Sequence, residues 1–216
     1  MKELIEICLE DAESVIRAEK GGADRVELCG DLFEGGTTPT LGTFLTARRH
    51  TSIKINVMIR PRGGDFAYSD IEFETMLEDV RIFKENGADG IVFGILNGDG
   101  TIDRARSEKI IEAARPLPVT FHRAFDMTKD LFSSLETLID MGVDRVLTSG
   151  GEPTVMEGIL NLKALVEKAG DRIIVMPGCG INEKNFSYLK ETVKAKEYHV
   201  YLPVEEESRM EWRPGH

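Results

Sequence analysis

Gly22-Ala-Asp-Arg-Val26 returns as Gly87-Ala-Asp-Gly-Ile91 and again as Gly142-Val-Asp-Arg-Val146, at intervals of 65 and 55 residues. Each copy follows an amphipathic segment and opens a short apolar run, so each reads as a helix-to-strand junction. The glycine serves as a left-handed C-cap, and the aspartate bonds neighbouring amides before the strand begins. Each interval fits two β-α units. Working outward, period-two and short apolar runs place strands at Leu4–Leu9, Arg25–Cys29, Lys54–Arg60, Gly90–Ile95, Val119–His122, Arg145–Thr148, Arg172–Met176 and Tyr198–Tyr201. Seven amphipathic stretches lie between them. Two of these, Ile71–Glu85 and Ile102–Ala114, carry apolar residues at three- and four-residue spacing with charges between. Strict alternation implies parallel strands. Eight strands with covering helices predict an α/β fold, a single-domain (β/α)8 TIM barrel over residues 1–216, whose functional face is built from the loops after the strands. The eighth helix is expected to be short or incomplete, because only fifteen residues follow Tyr201 and Glu205–Glu211 is a weak helical segment.

Composition narrows the partners. With 38 acidic against 27 basic residues, a net charge of −11 opposes docking on phosphate backbones, so no nucleic acid is expected. No apolar run approaches the ~18 residues of a membrane span, so no membrane partner is expected and the cytoplasm is the anticipated location. Cys8, Cys29 and Cys179 are too few for a disulfide framework, which leaves them as thiols.

The chemistry collects at strand exits. Glu6-Ile-Cys8 and Glu27-Leu-Cys29 repeat one Glu-x-Cys pattern, and period two puts each glutamate and its cysteine on one side of its strand. Inside a barrel the two thiols would face one another about 5 Å apart. Such a pair suits Cu(I), with Met58 or Met176 as further soft donors. Plain burial as small hydrophobes is the competing explanation for both cysteines. His122, Arg123 and Asp126 share one turn after the fifth strand and form an acid-base set, with Glu6 and Glu27 across the mouth as further acid or base. Arg60 and Arg62 add positive charge suited to carboxylate or phosphate, or else neutralise Glu27, Glu34 or Asp65. Ser149-Gly150-Gly151 and the Gly178 to Gly180 turn offer amides for an anion, near where barrels often hold phosphate. Gly35-Gly36 and Gly63-Gly64 are candidate hinges over the site. Read from the residues alone, this set suits an enzyme acting by general acid/base chemistry on a small anionic molecule, phosphorylated or carboxylate.

Several longer motifs together resemble the copper homeostasis protein CutC family. They are Glu27-Leu-Cys-Gly, Glu34-Gly-Gly-Thr-Thr-Pro39, Met58-Ile-Arg-Pro-Arg-Gly-Gly-Asp-Phe66, Ala88-Asp-Gly-Ile-Val-Phe-Gly94, Thr120-Phe-His-Arg-Ala-Phe-Asp126 and Thr148-Ser-Gly-Gly151. The resemblance covers nearly the whole chain. It implies a (β/α)8 barrel, a cytoplasmic homo-oligomer, a copper ion as partner and no organic cofactor, with copper ligands at Cys8 and Cys29. Two positions depart from the family pattern: Cys179 replaces a more usual glycine, and His199-Val-Tyr201 a usual His-x-Ser. A homodimer is the expected assembly, because a short eighth helix would leave apolar wall uncovered between the seventh and first helices.

Overall fold

The computed structural model describes residues 3–204 and 207–212. Eight strands, β1 (Leu4–Leu9), β2 (Arg25–Leu28), β3 (Lys54–Met58), β4 (Gly90–Phe93), β5 (Val119–Phe121), β6 (Arg145–Thr148), β7 (Ile174–Pro177) and β8 (Glu197–Tyr201), pair in parallel in the order β7-β6-β5-β4-β3-β2-β1-β8. The alternating helices are α1 (Ala12–Lys20), α2 (Leu41–His50), α3 (Asp70–Glu85), α4 (Arg104–Ala114), α5 (Leu131–Asp140), α6 (Ile159–Ala169) and α7 (Phe186–Val193). The sheet is a nearly closed barrel, and a parallel bridge between Gly178 and His199 brings β7 against β8. The seam is tight at Gly178: a Cβ there would stand 2.5 Å from Leu147 Cδ1 and 3.1 Å from His199 Cβ, so its neighbours would have to shift.

The repeat that announced the barrel also fastens it. Asp24 Oδ2 accepts from the Ile5 amide at 3.1 Å, Asp89 Oδ2 from Ile55 at 2.9 Å and Asp144 Oδ2 from Val119 at 2.8 Å. Each aspartate thus ties the entry of its own strand to the strand before it. The preceding glycines turn left-handed, with φ of 85°, 90° and 73° at Gly22, Gly87 and Gly142.

Period two sorts the strand side chains. Val26, Leu28, Ile55, Val57, Ile91 and Phe93 enter the core beneath the helices. Glu6, Cys8, Arg25, Glu27, Asn56 and Met58 alternate with such residues and face the lumen. The lumen therefore holds a buried ion network: Arg25 donates to Glu6 and, at 2.6 Å, to Glu197, which also accepts from Arg145 at 2.7 Å.

Strands β2 to β5 end one or two residues before the expected bounds, β7 starts two residues late and β8 one residue early. Arg172 does not start β7; its amide still bonds Ala169 O at the end of α6. After β8, residues 202–204 and 207–212 form no helix, while residues 205 and 206 of the expected eighth helix lie outside the described residues. The wall expected to be bare is better covered than the sequence implied, because Tyr198 is fully buried edge-on against Phe186 of α7, at 5.2 Å between ring centroids.

Candidate functional site

A cavity of about 450 Å³ opens at the end of the barrel where the strands exit. Its polar floor comes from β1, β2 and β8. Cys8 Sγ lies 3.8 Å from Cys29 Sγ. The thiols are brought together by register: Cys8 pairs with Glu27 across the ladder, and Cys29 follows two residues on, its amide bonded to Leu9 O. Cys8, Glu27 and His199 each present a ligand atom within 4.8 Å of the others. Cys29 donates to Glu27 Oε2 at 3.5 Å, and Met58 shares one buried cluster with both cysteines. The soft and mixed donors present here fit a soft metal ion.

The electrostatics of this floor are those of a poised ligand set. His199 Nδ1 is 2.9 Å from Glu6 Oε1, which fixes the ring and leaves Nε2 facing Glu27 at 3.7 Å. Orienting a ligand imidazole through a carboxylate on its other nitrogen is a recurrent arrangement in metal sites. Burial opposes charging His199, but the carboxylate of Glu27, the Cys8 sulfur and Glu6 raise its pKa well above the usual value. Cys8 is lowered to about 5 by its hydrogen bond with Cys29, against burial, and by His199. Cys29 is pushed well above the usual thiol value by the Cys8 contact, by burial and by the charge on Glu27. Burial, aided by the charges on Cys8 and Glu6, raises Glu27 to about 8. Its Oε1 is buried with no hydrogen-bond partner among the described residues.

Glu6 was expected at the mouth as an acid or base. The structure puts it one layer deeper, fully buried, bonded by Arg25, Asn56 and His199. Burial would raise its pKa, but the His199 hydrogen bond and the Arg25 charge outweigh it and hold the carboxyl at about 2. It orients other groups and does not exchange protons near neutrality. Met176, offered as a soft donor, is also deep, and its sulfur accepts from Arg25 Nη2 at 3.5 Å.

The opposite wall, from β5 and β6, is built differently. The Asp126 carboxylate accepts from the Ser149 amide at 3.1 Å, the Gly151 amide at 3.0 Å, the Thr148 hydroxyl and Arg123 Nε at 2.9 Å. The Gly150 amide donates to Thr148 Oγ1 at 2.9 Å. All three amides of the turn read as an anion site are thus consumed inside the protein, and Asp126 fills the place an external anion would take. Gly178, also read as an anion donor, gives its amide to Thr148 O at 3.0 Å and sits in the seam below the cavity. Gly180 does line the cavity.

His122 directly follows β5 and is 3% exposed. Its Nδ1 accepts the Ala124 amide at 3.1 Å, which places the ring proton on Nε2, an atom buried without a partner among the described residues. Burial and the nearby Arg60 charge lower its pKa to about 3. The expected titration near neutrality is therefore corrected: this imidazole stays neutral. An unpaired buried donor costs about 1–3 kcal/mol.

The arginines divide. Arg60 Nη1 donates to Glu34 O at 2.6 Å and Gly36 O at 2.9 Å, and Nη2 donates to Gly64 O at 2.9 Å. It ties together the two glycine loops read as hinges. Arg62 lies outside the cavity lining, bonded to Glu72 at 2.5 Å and Asp65 at 3.1 Å and stacked over Tyr68. Arg123 lines the cavity, with Nε on Asp126 and Nη2 on Ser149 Oγ at 2.9 Å. His199 is the residue the sequence reading passed over. The period-two run Glu197-Tyr-His199-Val-Tyr201 held the signal, since it repeats the lumen-facing polar pattern of Glu6-Ile-Cys8.

Comparison with known proteins agrees with this geometry. The chain is 50% identical over 214 residues to a family protein CutC of Parabacteroides distasonis, covering 99% of this chain and 88% of that one. It is 49% identical over 210 residues to the human copper homeostasis protein cutC homolog, covering 97% of this chain and 77% of the human one. A crystal structure of a CutC protein from Streptococcus agalactiae superposes with a TM-score of 0.87 at 37% identity, over 92% of this chain and 98% of that one. The CutC family model matches residues 3–202, and with the barrel and the relatives in agreement, the chain belongs to the CutC family.

Proposed function

We propose that this protein serves copper homeostasis by holding Cu(I) on Cys8 and Cys29, with His199 Nε2 and Glu27 beside them. The observation that carries the reading is the pair of thiols 3.8 Å apart on the cavity floor, next to an imidazole fixed by a buried carboxylate. Two thiols with a methionine in the same buried cluster favour Cu(I) over harder divalent ions. The human relative and the Streptococcus agalactiae protein are both named for copper homeostasis. Loading the site displaces protons from Cys29 and from His199, both of which hold theirs above their usual values, so apparent affinity rises with pH. A reducing cytoplasm, where thiols persist, is the compartment that suits such a site.

Anaerobic titration with Cu(I) against a chromophoric chelator tests this. Wild type binds one equivalent; Cys8→Ser and Cys29→Ser each abolish it, and Cys179→Ser leaves it intact. His199→Gln weakens binding about 10- to 100-fold, as loss of supporting groups does at metal sites. Full affinity in both Cys8→Ser and Cys29→Ser would reject the site.

A further inference from the structure

The cavity is much larger than one metal ion requires, and the wall away from the thiols carries two unanswered features. The first is His122 Nε2, an N–H donor buried without a partner among the described residues. Its aim is fixed from three sides. The Ala124 amide sets the tautomer, Phe66 flanks the ring at 5.1 Å between centroids, and Gly94 makes room for it, since a Cβ there would come within 2.5 Å of Cε1. The second is Arg60, 4% exposed, whose guanidinium meets three backbone carbonyls and the face of Phe66 at 5.1 Å. Carbonyls accept three of its hydrogens but do not balance its charge, and its Nε is a further buried N–H without a partner among the described residues. A buried cation with no counter-ion among the described residues and an unpaired donor beside it are costly unless a ligand completes them. Arg123 does not share this role, because Asp126 already neutralises it. The remaining wall is apolar, from Leu32, Phe66, Met127 and Leu147.

We propose that this part of the cavity binds a small organic monocarboxylate, its carboxylate taken by His122 Nε2–H and the charge of Arg60 and its apolar body against Phe66, Met127 and Leu147. One negative charge balances the Arg60 guanidinium, which has no carboxylate partner among the described residues. A phosphate dianion brings a second charge into a cavity already lined by Glu27, Glu34 and Asp126, and the amide turn that could have received it is filled by Asp126. A neutral amide supplies an acceptor for His122 but nothing for Arg60. The subsite is independent of copper, since none of its groups belongs to the thiol floor.

The test uses the metal-free full chain and three kinds of probe: acetate, isovalerate and benzoate as monocarboxylates, benzamide as the neutral isostere of benzoate, and inorganic phosphate. Binding is read by thermal shift and by imidazole ¹⁵N–¹H correlation spectra. Benzoate or isovalerate at millimolar concentration raises the melting temperature and moves the His122 Nε2 resonance, while benzamide and phosphate bind at least about tenfold more weakly. His122→Asn keeps an acceptor for the Ala124 amide but withdraws the deep donor, and lowers carboxylate affinity about tenfold or more. His122→Gln, whose amide reaches the Nε2 position, restores part of it. No response to any of the three monocarboxylates overturns the proposal, as does equal binding by wild type and His122→Asn or equal binding of phosphate and benzoate. Because Cu(I) titration is read separately, loss of this subsite leaves the copper site standing, and the reverse.

Discussion

Asp126 and Glu27 are carboxylates at the same end of the same barrel, both nearly buried, and they have opposite fates. Asp126 is met by two amides, a hydroxyl and a guanidinium, all from its own turn and the next strand exit. Glu27 keeps one oxygen without a partner and faces a thiol and an imidazole. The difference teaches that burial alone does not mark a functional carboxylate. What marks it is whether the fold has supplied the donors: a saturated group is structure, and an unsaturated one among other ligands awaits a partner.

Removing the saturated group should therefore have the larger effect on stability. Asp126→Ala leaves two amides, a hydroxyl and Arg123 without their acceptor, and should cost about 3–5 kcal/mol in urea unfolding, at roughly 1–3 kcal/mol for each buried donor left unpaired. If Asp126 occupies a latent anion site, acetate or sulfate should recover part of that loss in the variant and do little for wild type. A cost under about 1 kcal/mol, or equal anion effects on both proteins, would erase the contrast.

The second measurement asks whether the deep carboxylate behaves like Asp126. Glu6 has a folded pKa depressed from 4.5 to about 2, so its contribution is present above pH 4.5 and is lost as pH falls through 2. At about 1.4 kcal/mol per unit the contribution is about 3 kcal/mol. Acid unfolding of Glu6→Gln should accordingly show a flatter stability slope between pH 4.5 and 2 than wild type. Parallel slopes would mean that Arg25 and His199 do not stabilise its charge as the geometry requires.

Glu27 should differ in sign as well as size. Its folded pKa is raised to about 8, so the folded state keeps a proton that the unfolded chain releases above about 4.5, and its contribution is lost as pH rises through 8. Glu27→Gln keeps the shape without that proton. It should stay within about 1 kcal/mol of wild type at pH 5 and gain relative to wild type by pH 9, because swapping a poorly satisfied buried acid for a neutral isostere removes little. Cu(I) affinity should fall even so. A large loss of stability at pH 5 would show that Glu27 is held by donors after all and is structural like Asp126.

Which of these roles was legible in the sequence follows the range of the forces involved. The barrel was readable because it rests on local regularities: period-two strands, glycine caps and a recurring aspartate that bonds one strand over. The Glu-x-Cys pairs were readable because period two fixes which side of a strand a residue faces. The satisfaction of each polar group was not, since it depends on partners far along the chain. Asp126 meets Ser149 and Gly151, Arg60 meets Glu34 and Gly64, and Glu6 meets His199. Composition shows the charges at the mouth but not which are already spent. His199 was overlooked for the same reason, since its importance comes from closure of β8 on β1.

The smallest effect is expected at Cys179, the third thiol and the one set apart from the floor. It lines the cavity, but its φ is +88°, a left-handed conformation that costs a side-chain-bearing residue about 1–3 kcal/mol, and its sulfur is spent on Pro153 O at 3.2 Å. Cys179→Gly releases that strain. Against it stand the extra freedom of glycine in the unfolded chain, about 0.5–1 kcal/mol, and the lost thiol contact. The balance predicts a variant more stable than wild type by about 0.5–1 kcal/mol, with Cu(I) affinity unchanged. Unfolding midpoints and the copper titration measured on one preparation decide it. Weakened copper binding would join Cys179 to Cys8 and Cys29 as a ligand and explain why a strained backbone is tolerated there. Unchanged binding with a gain in stability would confine the metal chemistry to the floor and leave Cys179 a local cost on the side of the cavity that the metal does not use.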